Sequence, residues 1–311
     1  MAAKDNLKIK KKTKIKKKTL IAWSRGHIIG RGSYGTVGLA LINPNEQHTQ
    51  PVVAAVKFAP YDLSKTLQHE KTVLDSLGDS PHIIKCLGED VTLEEDVTHY
   101  NLFLEYAARG TLADLLKNSP HGHLRELDVK HITRSLLRAL IHLKNKGYVH
   151  CDVKPENILL MENGEVKLAD FGMAKKVGEK VKELRGTPLY MAPEGIMRSE
   201  YEPPFDVWSL GCTIAKLVSG RHLWMCMKNW EPAAMMFNIG LKERLPEIPN
   251  EISEQGKDFL GKCLARDPKE RWAAEMLLDH PFVCYGRSLL SSPFSGKLVE
   301  SALTARAVQA V

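Results

Sequence analysis

The chain changes its periodicity once, near Thr111, and that single change narrows the folds open to it. Before Thr111, apolar and β-branched stretches at 26–29, 37–42, 52–58, 84–86 and 102–105 alternate with turn residues, which is the pattern of strands. Asn43-Pro44-Asn45-Glu46 reads as a turn between two of them. One helix is predicted over 64–77, with Leu67, Glu70, Leu74 and Leu77 on one side. Beyond Thr111 the spacing is helical. Val129, Ile132, Leu136, Leu140 and Leu143 mark a helix over 129–146, closed by Gly147, and the nearly all-apolar run 206–219, closed by Gly220, predicts a deeply buried one. Strands first and helices afterwards predict an α+β chain with two lobes of different class.

At 311 residues there is room for one large catalytic unit or two ordinary domains. A chain of this length can bury a core without disulfides or metals. No apolar run approaches the roughly 18 residues a membrane span needs. The six cysteines form no C-x-x-C pair, and no apolar run lies near Met1, so they are read as reduced thiols of an intracellular protein. Residues 1–18 hold nine lysines against one acid, Asp5, a charge of +8; the net charge is +7, so the rest of the chain sums to −1. The near-neutral body argues against a nucleic-acid-binding surface there. A lysine run without apolar periodicity is expected to stay disordered. Its candidate roles are binding a nuclear import receptor, contacting anionic lipid or nucleic acid, or solubility alone.

Several segments carry chemistry. Gly30-Arg31-Gly32-Ser33-Tyr34-Gly35-Thr36-Val37 fits G-x-G-x-x-G, but the strand-like run after it predicts a flap between two strands, with its backbone close to phosphates. Lys57 ends the apolar run Ala54-Ala55-Val56, a costly place for an ammonium unless anions meet it. Glu70 on the predicted helix and phosphate oxygens would supply them; an ordinary edge-strand lysine is the other reading. The run from His150 to Leu160, His-Cys-Asp-Val-Lys-Pro-Glu-Asn-Ile-Leu-Leu, is followed by Asp170-Phe171-Gly172 and by Gly186-Thr187-Pro188-Leu189-Tyr190-Met191-Ala192-Pro193-Glu194. Phosphoryl transfer to a hydroxyl needs a proton acceptor, metal ligands and a cation on the donor. Asp152 can accept the proton, Asn157 and Asp170 can supply oxygens to magnesium, Lys57 can hold the donor phosphates, and Lys154 can offset charge on the moving group.

Taken in order, these motifs resemble those of eukaryotic protein kinases, over residues 23–283. The resemblance implies a two-lobed fold, with a small β-rich N-lobe of about 23–104 carrying one key helix, a hinge at 105–109 and a helical C-lobe over 110–283. Residues 1–22 and 284–311 would be tails. It implies ATP and Mg2+ in the cleft, with catalytic roles for Asp152, Lys154, Lys57 and Glu70 and metal ligation by Asn157 and Asp170. Nucleotide contacts would come from Ile29, the loop Gly30, Arg31, Gly32, Ser33, Tyr34, Gly35, Thr36 and Val37, then Ala55, Lys57, Leu159 and the hinge residues Glu105 and Ala107, with Leu104 guarding a back pocket. Asp206 would brace the catalytic loop, and Glu194 would pair with Arg271. Lys154 with Gly186-Thr187 resembles serine/threonine kinases. The 186–194 string, with His280-Pro281-Phe282-Val283, is similar to MAP kinase kinase kinases, above all the compact plant MEKK-like branch. That implies MAP kinase kinases as substrates and a place in cytoplasm and nucleus. The alternatives are a pseudokinase scaffold and a serine/threonine kinase outside the MAP kinase cascade. Against the scaffold, Lys57, Asp152, Asn157 and Asp170 are all present.

The departures are informative. Cys151 stands where most kinases carry the arginine that receives an activation-segment phosphate. Residues 173–185 contain no Ser, Thr or Tyr. Receiver and donor are absent together, so activity is expected not to require phosphorylation there. Gly195 replaces a bulkier aliphatic and is expected to loosen the following helix. Ala54, where valine is usual, is expected to take little from the roof over adenine. A redox role for Cys151 would need exposure and a depressed pKa, and His150 is read as packing beneath the loop. Ser292-Pro293 is a weak candidate phosphorylation site.

Overall fold

The computed structural model describes residues 22–32, 35–43, 52–224, 232–241 and 246–284. The lysine-rich segment, Ser33, Tyr34, the turn residues after Asn43, Cys226 and Ser292-Pro293 lie outside them. Strands β1 (Ala22–Gly32), β2 (Gly35–Asn43), β3 (Val52–Pro60), β4 (Cys86–Glu94) and β5 (Val97–Glu105) form an antiparallel sheet in the order β1-β2-β3-β5-β4. Among the described residues, pairing of β1 with β2 runs from Ala22↔Asn43 to Gly32↔Gly35. Segment 84–85 is not strand; Ile84 instead donates its N–H to Leu168 O at 2.9 Å, and the strand begins at Cys86.

The two faces of the sheet bury different residues, as a period of two requires. Ala40, Ala54, Val56 and Phe103 form a small outer cluster under Trp23, Ile42, Phe58 and Leu87. Leu102, Leu104 and Ala59 face inward to join the main core with Leu67, Val73, Leu74 and Leu77 of α1 (Lys65–Leu77). Ala54 therefore lies on the face away from Ala55 and Lys57, and its small size bears on the outer cluster rather than on an adenine roof.

The remainder is helical: α2 (Leu112–Lys117), α3 (Glu126–Asn145), α4 (Pro193–Arg198), α5 (Pro203–Ser219), α6 (Pro232–Leu241), α7 (Glu254–Cys263) and α8 (Ala274–Leu278). Thr111 opens α2 with a capping box, its side chain and that of Asp114 each accepting from the other's backbone N–H. Buried along nearly its whole length, α5 has no polar face and centres the lobe. Two short antiparallel pairs sit where the lobes meet: β6 (Tyr148–Val149) with β9 (Lys175–Lys176), and β7 (Ile158–Leu160) with β8 (Val166–Leu168). The expected loosening at Gly195 is not found. A Cβ there would stand 2.3 Å from Phe205 Cε2, so buried aromatic rings already occupy the space an aliphatic side chain would need.

Candidate active site

Lys57 lies on β3 and faces inward. Its Nζ is 2.9 Å from each carboxylate oxygen of Glu70 on α1 and 3.1 Å from Asp170 Oδ1. Burial alone would lower the Lys57 pKa, but the two carboxylates outweigh it and raise it. Asp170 is held below the usual carboxylate range, because Lys57 overcomes the upward push of burial. Glu70, with 1% of its side chain exposed, also accepts the N–H of Phe171 at 3.2 Å. Phe171 is fully buried against His150, with ring centroids 4.8 Å apart. One carboxylate thus ties α1 both to the β3 lysine and to the segment bearing Asp170.

The loop from His150 to Asn157 is organised from below. Asp206, at the start of α5, accepts the N–H of His150 at 2.7 Å and that of Cys151 at 2.9 Å. These bonds hold Cys151 at φ 69°, and Asp170 stands at φ 65°. Left-handed backbone costs a non-glycine residue roughly 1–2 kcal/mol, so the fold supports strain on both sides of the site. Cys151 is buried, and burial pushes its thiol well above the ordinary value, the reverse of what redox reactivity needs. His150 accepts the Asp152 N–H at Nδ1 and contacts Ala169 O through Nε2, a packing and positioning arrangement.

Asp152 collects three donors. Thr187 donates its hydroxyl to Oδ1 at 2.7 Å, while Lys154 Nζ at 2.8 Å and Asn157 Nδ2 at 2.9 Å face Oδ2. Asn157 Nδ2 also donates to Asp152 O at 2.8 Å, which commits the amide nitrogen and leaves Oδ1 as the free end. An amide oxygen and a carboxylate are hard donors that fit Mg2+, which keeps water and phosphate oxygens in its shell and needs few protein ligands. Among the described residues no cluster of three His, Cys, Asp or Glu forms a metal cage.

The glycine motif closes the β1–β2 hairpin, with Gly30↔Val37, Arg31↔Thr36 and Gly32↔Gly35 paired; Ser33 and Tyr34 lie between the described strands. Gly35, at φ 152°, could not accept a Cβ, which would stand 2.7 Å from Phe58 O. At Gly30 and Gly32 a Cβ would meet no atom of the described residues nearer than 3.9 Å. Packing among the described residues therefore does not demand those two glycines, whereas close approach of a phosphate would. Ile29 is exposed, while Val37, Ala55 and Leu159 are half-buried and Leu104 is buried beside Ala55. At the hinge, Glu105 donates its N–H to Lys85 O and Ala107 O accepts from Gly110, and no acceptor among the described residues takes the N–H of Ala107.

Two contributors were not singled out in the sequence. Lys167 of β8 grips the Glu105 carboxylate at 2.7 and 2.9 Å. Its signal was available, since it is a lysine in the apolar run Val166-Lys167-Leu168, the same anomaly that exposed Lys57. Glu202, next to Pro203 at the start of α5, accepts from the activation segment and had no such signal. The pair Glu194–Arg271 forms at 2.7 and 3.2 Å in near-complete burial.

A β-rich lobe and a helical lobe that meet around one lysine, two carboxylates and a braced loop have the fold of a protein kinase. The chain belongs to that family: the protein kinase domain matches residues 23–283. It is a serine/threonine protein kinase, similar to plant mitogen-activated protein kinase kinase kinases. Mitogen-activated protein kinase kinase kinase 20 of Arabidopsis thaliana is 46% identical over 267 residues, covering 84% of this chain and 78% of the relative. Numbers 18 and 17 of that plant are 40% and 39% identical, covering 84% of this chain and 77% and 69% of their own lengths. No helix among the described residues is long and apolar enough to cross a membrane.

Proposed function

We propose that this kinase transfers the γ-phosphate of Mg-ATP to Ser or Thr hydroxyls of MAP kinase kinases, and does so without phosphate on residues 173–185. The observation that carries the chemistry is that Lys57, Glu70 and Asp170 meet across the lobes, and that the Ala169 N–H beside Asp170 bonds Asn157 O at 2.9 Å, next to Asp152. Lys57, fixed by Glu70, presents an ammonium to the donor phosphates. Asp152, oriented by Thr187, Lys154 and Asn157, accepts the proton of the attacking hydroxyl. Lys154 offsets charge on the transferred group, and Thr187 keeps Lys154 and Asp152 in register. Asn157 Oδ1 and Asp170 would hold magnesium, which supplies charge neutralisation across the phosphates. The Ala107 N–H reads the adenine edge, and Ala55, Val37 and Leu159 close on its faces. The substrate class is supported by the names of the relatives, and the independence from phosphate by the lack of hydroxyls in 173–185 together with Cys151.

The test is to purify the protein from bacteria, treat it with phosphatase, and supply radiolabelled ATP with a panel of kinase-inactive MAP kinase kinases. Label should enter at least one of them, and Lys57→Met and Asp152→Asn should abolish it. Activity that disappears on dephosphorylation overturns the regulatory half. Transfer to general acceptors but to no MAP kinase kinase overturns the substrate half. The lysines of residues 4–18 are read as an import signal that adds the nucleus to a cytoplasmic location. A fluorescent fusion whose distribution does not change when those lysines are replaced by glutamine would refute it.

A further inference from the structure

Lys175, on β9 just beyond Asp170-Phe171-Gly172, has 1% of its side chain exposed. A buried ammonium must find oxygen partners, and an anion above all. Nothing in 173–185 can be phosphorylated to provide one. The oxygens come instead from the two residues ahead of α5. Lys175 Nζ donates to Tyr201 O at 2.7 Å and to Glu202 Oε1 at 3.2 Å. The same carboxylate accepts the N–H of Gly178, at 3.1 Å to Oε1 and 3.2 Å to Oε2. Next to it, Tyr201 Oη accepts the N–H of Arg185 at 2.9 Å. Arg185 then reaches back and donates through Nη1 to Met173 O at 2.8 Å and Ala174 O at 3.3 Å.

The segment is therefore held at both ends and near its start, with no phosphate in the network. Two residues past Arg185 comes Thr187, whose hydroxyl bonds Asp152. The position of the segment thus reaches the catalytic carboxylate through a short, ordered stretch of chain. We propose that Glu202, seconded by Tyr201, is the resident anionic anchor of residues 173–185, a positioning residue that does the work an added phosphate would otherwise do. This rests on the reading that activity needs no phosphate in that segment. It adds the identity of the group that replaces it.

The experiment uses the full chain from bacteria, phosphatase-treated, with Mg-ATP and casein as a general acceptor, so that it does not depend on the natural substrate. Phosphatase-treated wild type that is inactive sinks the phosphate-independence reading itself. With active wild type, Glu202→Ala is expected to lose about tenfold or more in kcat/KM for casein, as loss of charged hydrogen bonds would give, with KM for ATP within about twofold. Trypsin cleavage after Lys176, Lys180 and Lys182 should accelerate by a similar factor of about ten. Glu202→Asp should retain most of the activity, and Glu202→Gln, which keeps an acceptor but no charge, should fall between. Glu200→Ala, a neighbouring acid that pairs with Arg198 among the described residues, should behave as wild type. Should Glu202→Ala fail to unfold cooperatively, the same measurements on Glu202→Gln decide the matter. A folded Glu202 variant without the carboxylate that matches wild type in casein turnover and in trypsin resistance overturns the proposal. So does a loss that falls equally on the KM for ATP.

Discussion

Thr187 stands between two charged groups of the site: its Oγ1 receives a hydrogen bond from Lys154 Nζ at 2.7 Å and donates one to Asp152 Oδ1 at 2.7 Å. The hydroxyl is thus a relay that fixes the cation relative to the base. Hydrogen bonds to charged groups contribute roughly 1.5–3 kcal/mol each, so Thr187→Val should reduce kcat by roughly 10–100-fold, each 1.36 kcal/mol being a factor of ten. Thr187→Ser keeps the oxygen and should stay within about threefold of wild type. Steady-state kinetics at saturating ATP and acceptor decide it. Equal rates for Val and wild type would show that Lys154 and Asp152 hold themselves in place.

Lys167 acts at a distance from the chemistry. Its ammonium, about a tenth exposed, spans both oxygens of Glu105, whose backbone opens the hinge. The N–H of Lys85 meets the same carboxylate at 2.7 Å. Lys167→Met should leave that carboxylate underpaired and displace the hinge edge. Because the hinge binds ground state and transition state alike, the loss belongs in KM for ATP, by about 3–10-fold, with kcat little changed. Lys167→Arg should recover part of it. A fall confined to kcat would count against the hinge as the site of action.

What could be read in the sequence, and what could not, divides by mechanism. Lys57 was legible because an apolar strand does not ask for an ammonium, Glu70 because a predicted helix could bring an anion to it, and Asp152, Asn157 and Asp170 because they stand in ordered motifs. Helix α3 was legible because its apolar residues repeat at helical spacing from Val129 to Leu143. Strand β4 was largely invisible: it is an edge strand rich in acids, with Val91 and Leu93 exposed, so no face shows an apolar alternation. Gly195 was misread because its neighbours, Tyr201 and Phe205, are brought onto it by the entry into α5, and local helix propensity carries no information about them. Glu202 was silent for the same reason. Its partners lie 24 and 27 residues away, and an acid ahead of two prolines is common at a helix start.

His222 gives a pH dependence with a definite sign. Burial, helped by Lys216, lowers its pKa from 6.5 to about 4, and its ring sits edge-on to Tyr190 at 5.6 Å. The unfolded chain takes up the proton near 6.5 and the folded one only near 4, so between those values the unfolded state binds more protons. Stability should therefore decline as the pH falls from about 6.5 to about 4, by less than the roughly 3 kcal/mol of full burial, since solvent screens part of the effect. His82 and His131, also lowered by burial, act in the same direction. Urea unfolding at steps between pH 7.5 and 4.5 should show the slope, and His222→Phe, which keeps a ring beside Tyr190, should flatten it. An unchanged slope in that variant would remove His222 from the account.

Gly195 sets two opposing terms against each other. Replacing a helical glycine with alanine ordinarily stabilises by about 1 kcal/mol. Here the added Cβ would stand 2.3 Å from Phe205 Cε2, 2.9 Å from its Cδ2 and 3.1 Å from Tyr201 Cε1. Both rings are 1% exposed and packed edge to face at 5.0 Å, so neither can swing aside without opening the core around α5. Overpacking of this kind costs about 1–3 kcal/mol, which offsets the helix gain of about 1 kcal/mol and leaves a net loss of up to about 2 kcal/mol. In a domain of this size that is a fall in Tm of up to roughly 8 °C. Adding Phe205→Leu to Gly195→Ala removes the clashing ring atoms, so the double variant should be less destabilised than the two single losses combined. Thermal unfolding of the four proteins closes the cycle. A Gly195→Ala protein as stable as wild type would mean that the rings yield, and that the glycine is not required by its aromatic neighbours.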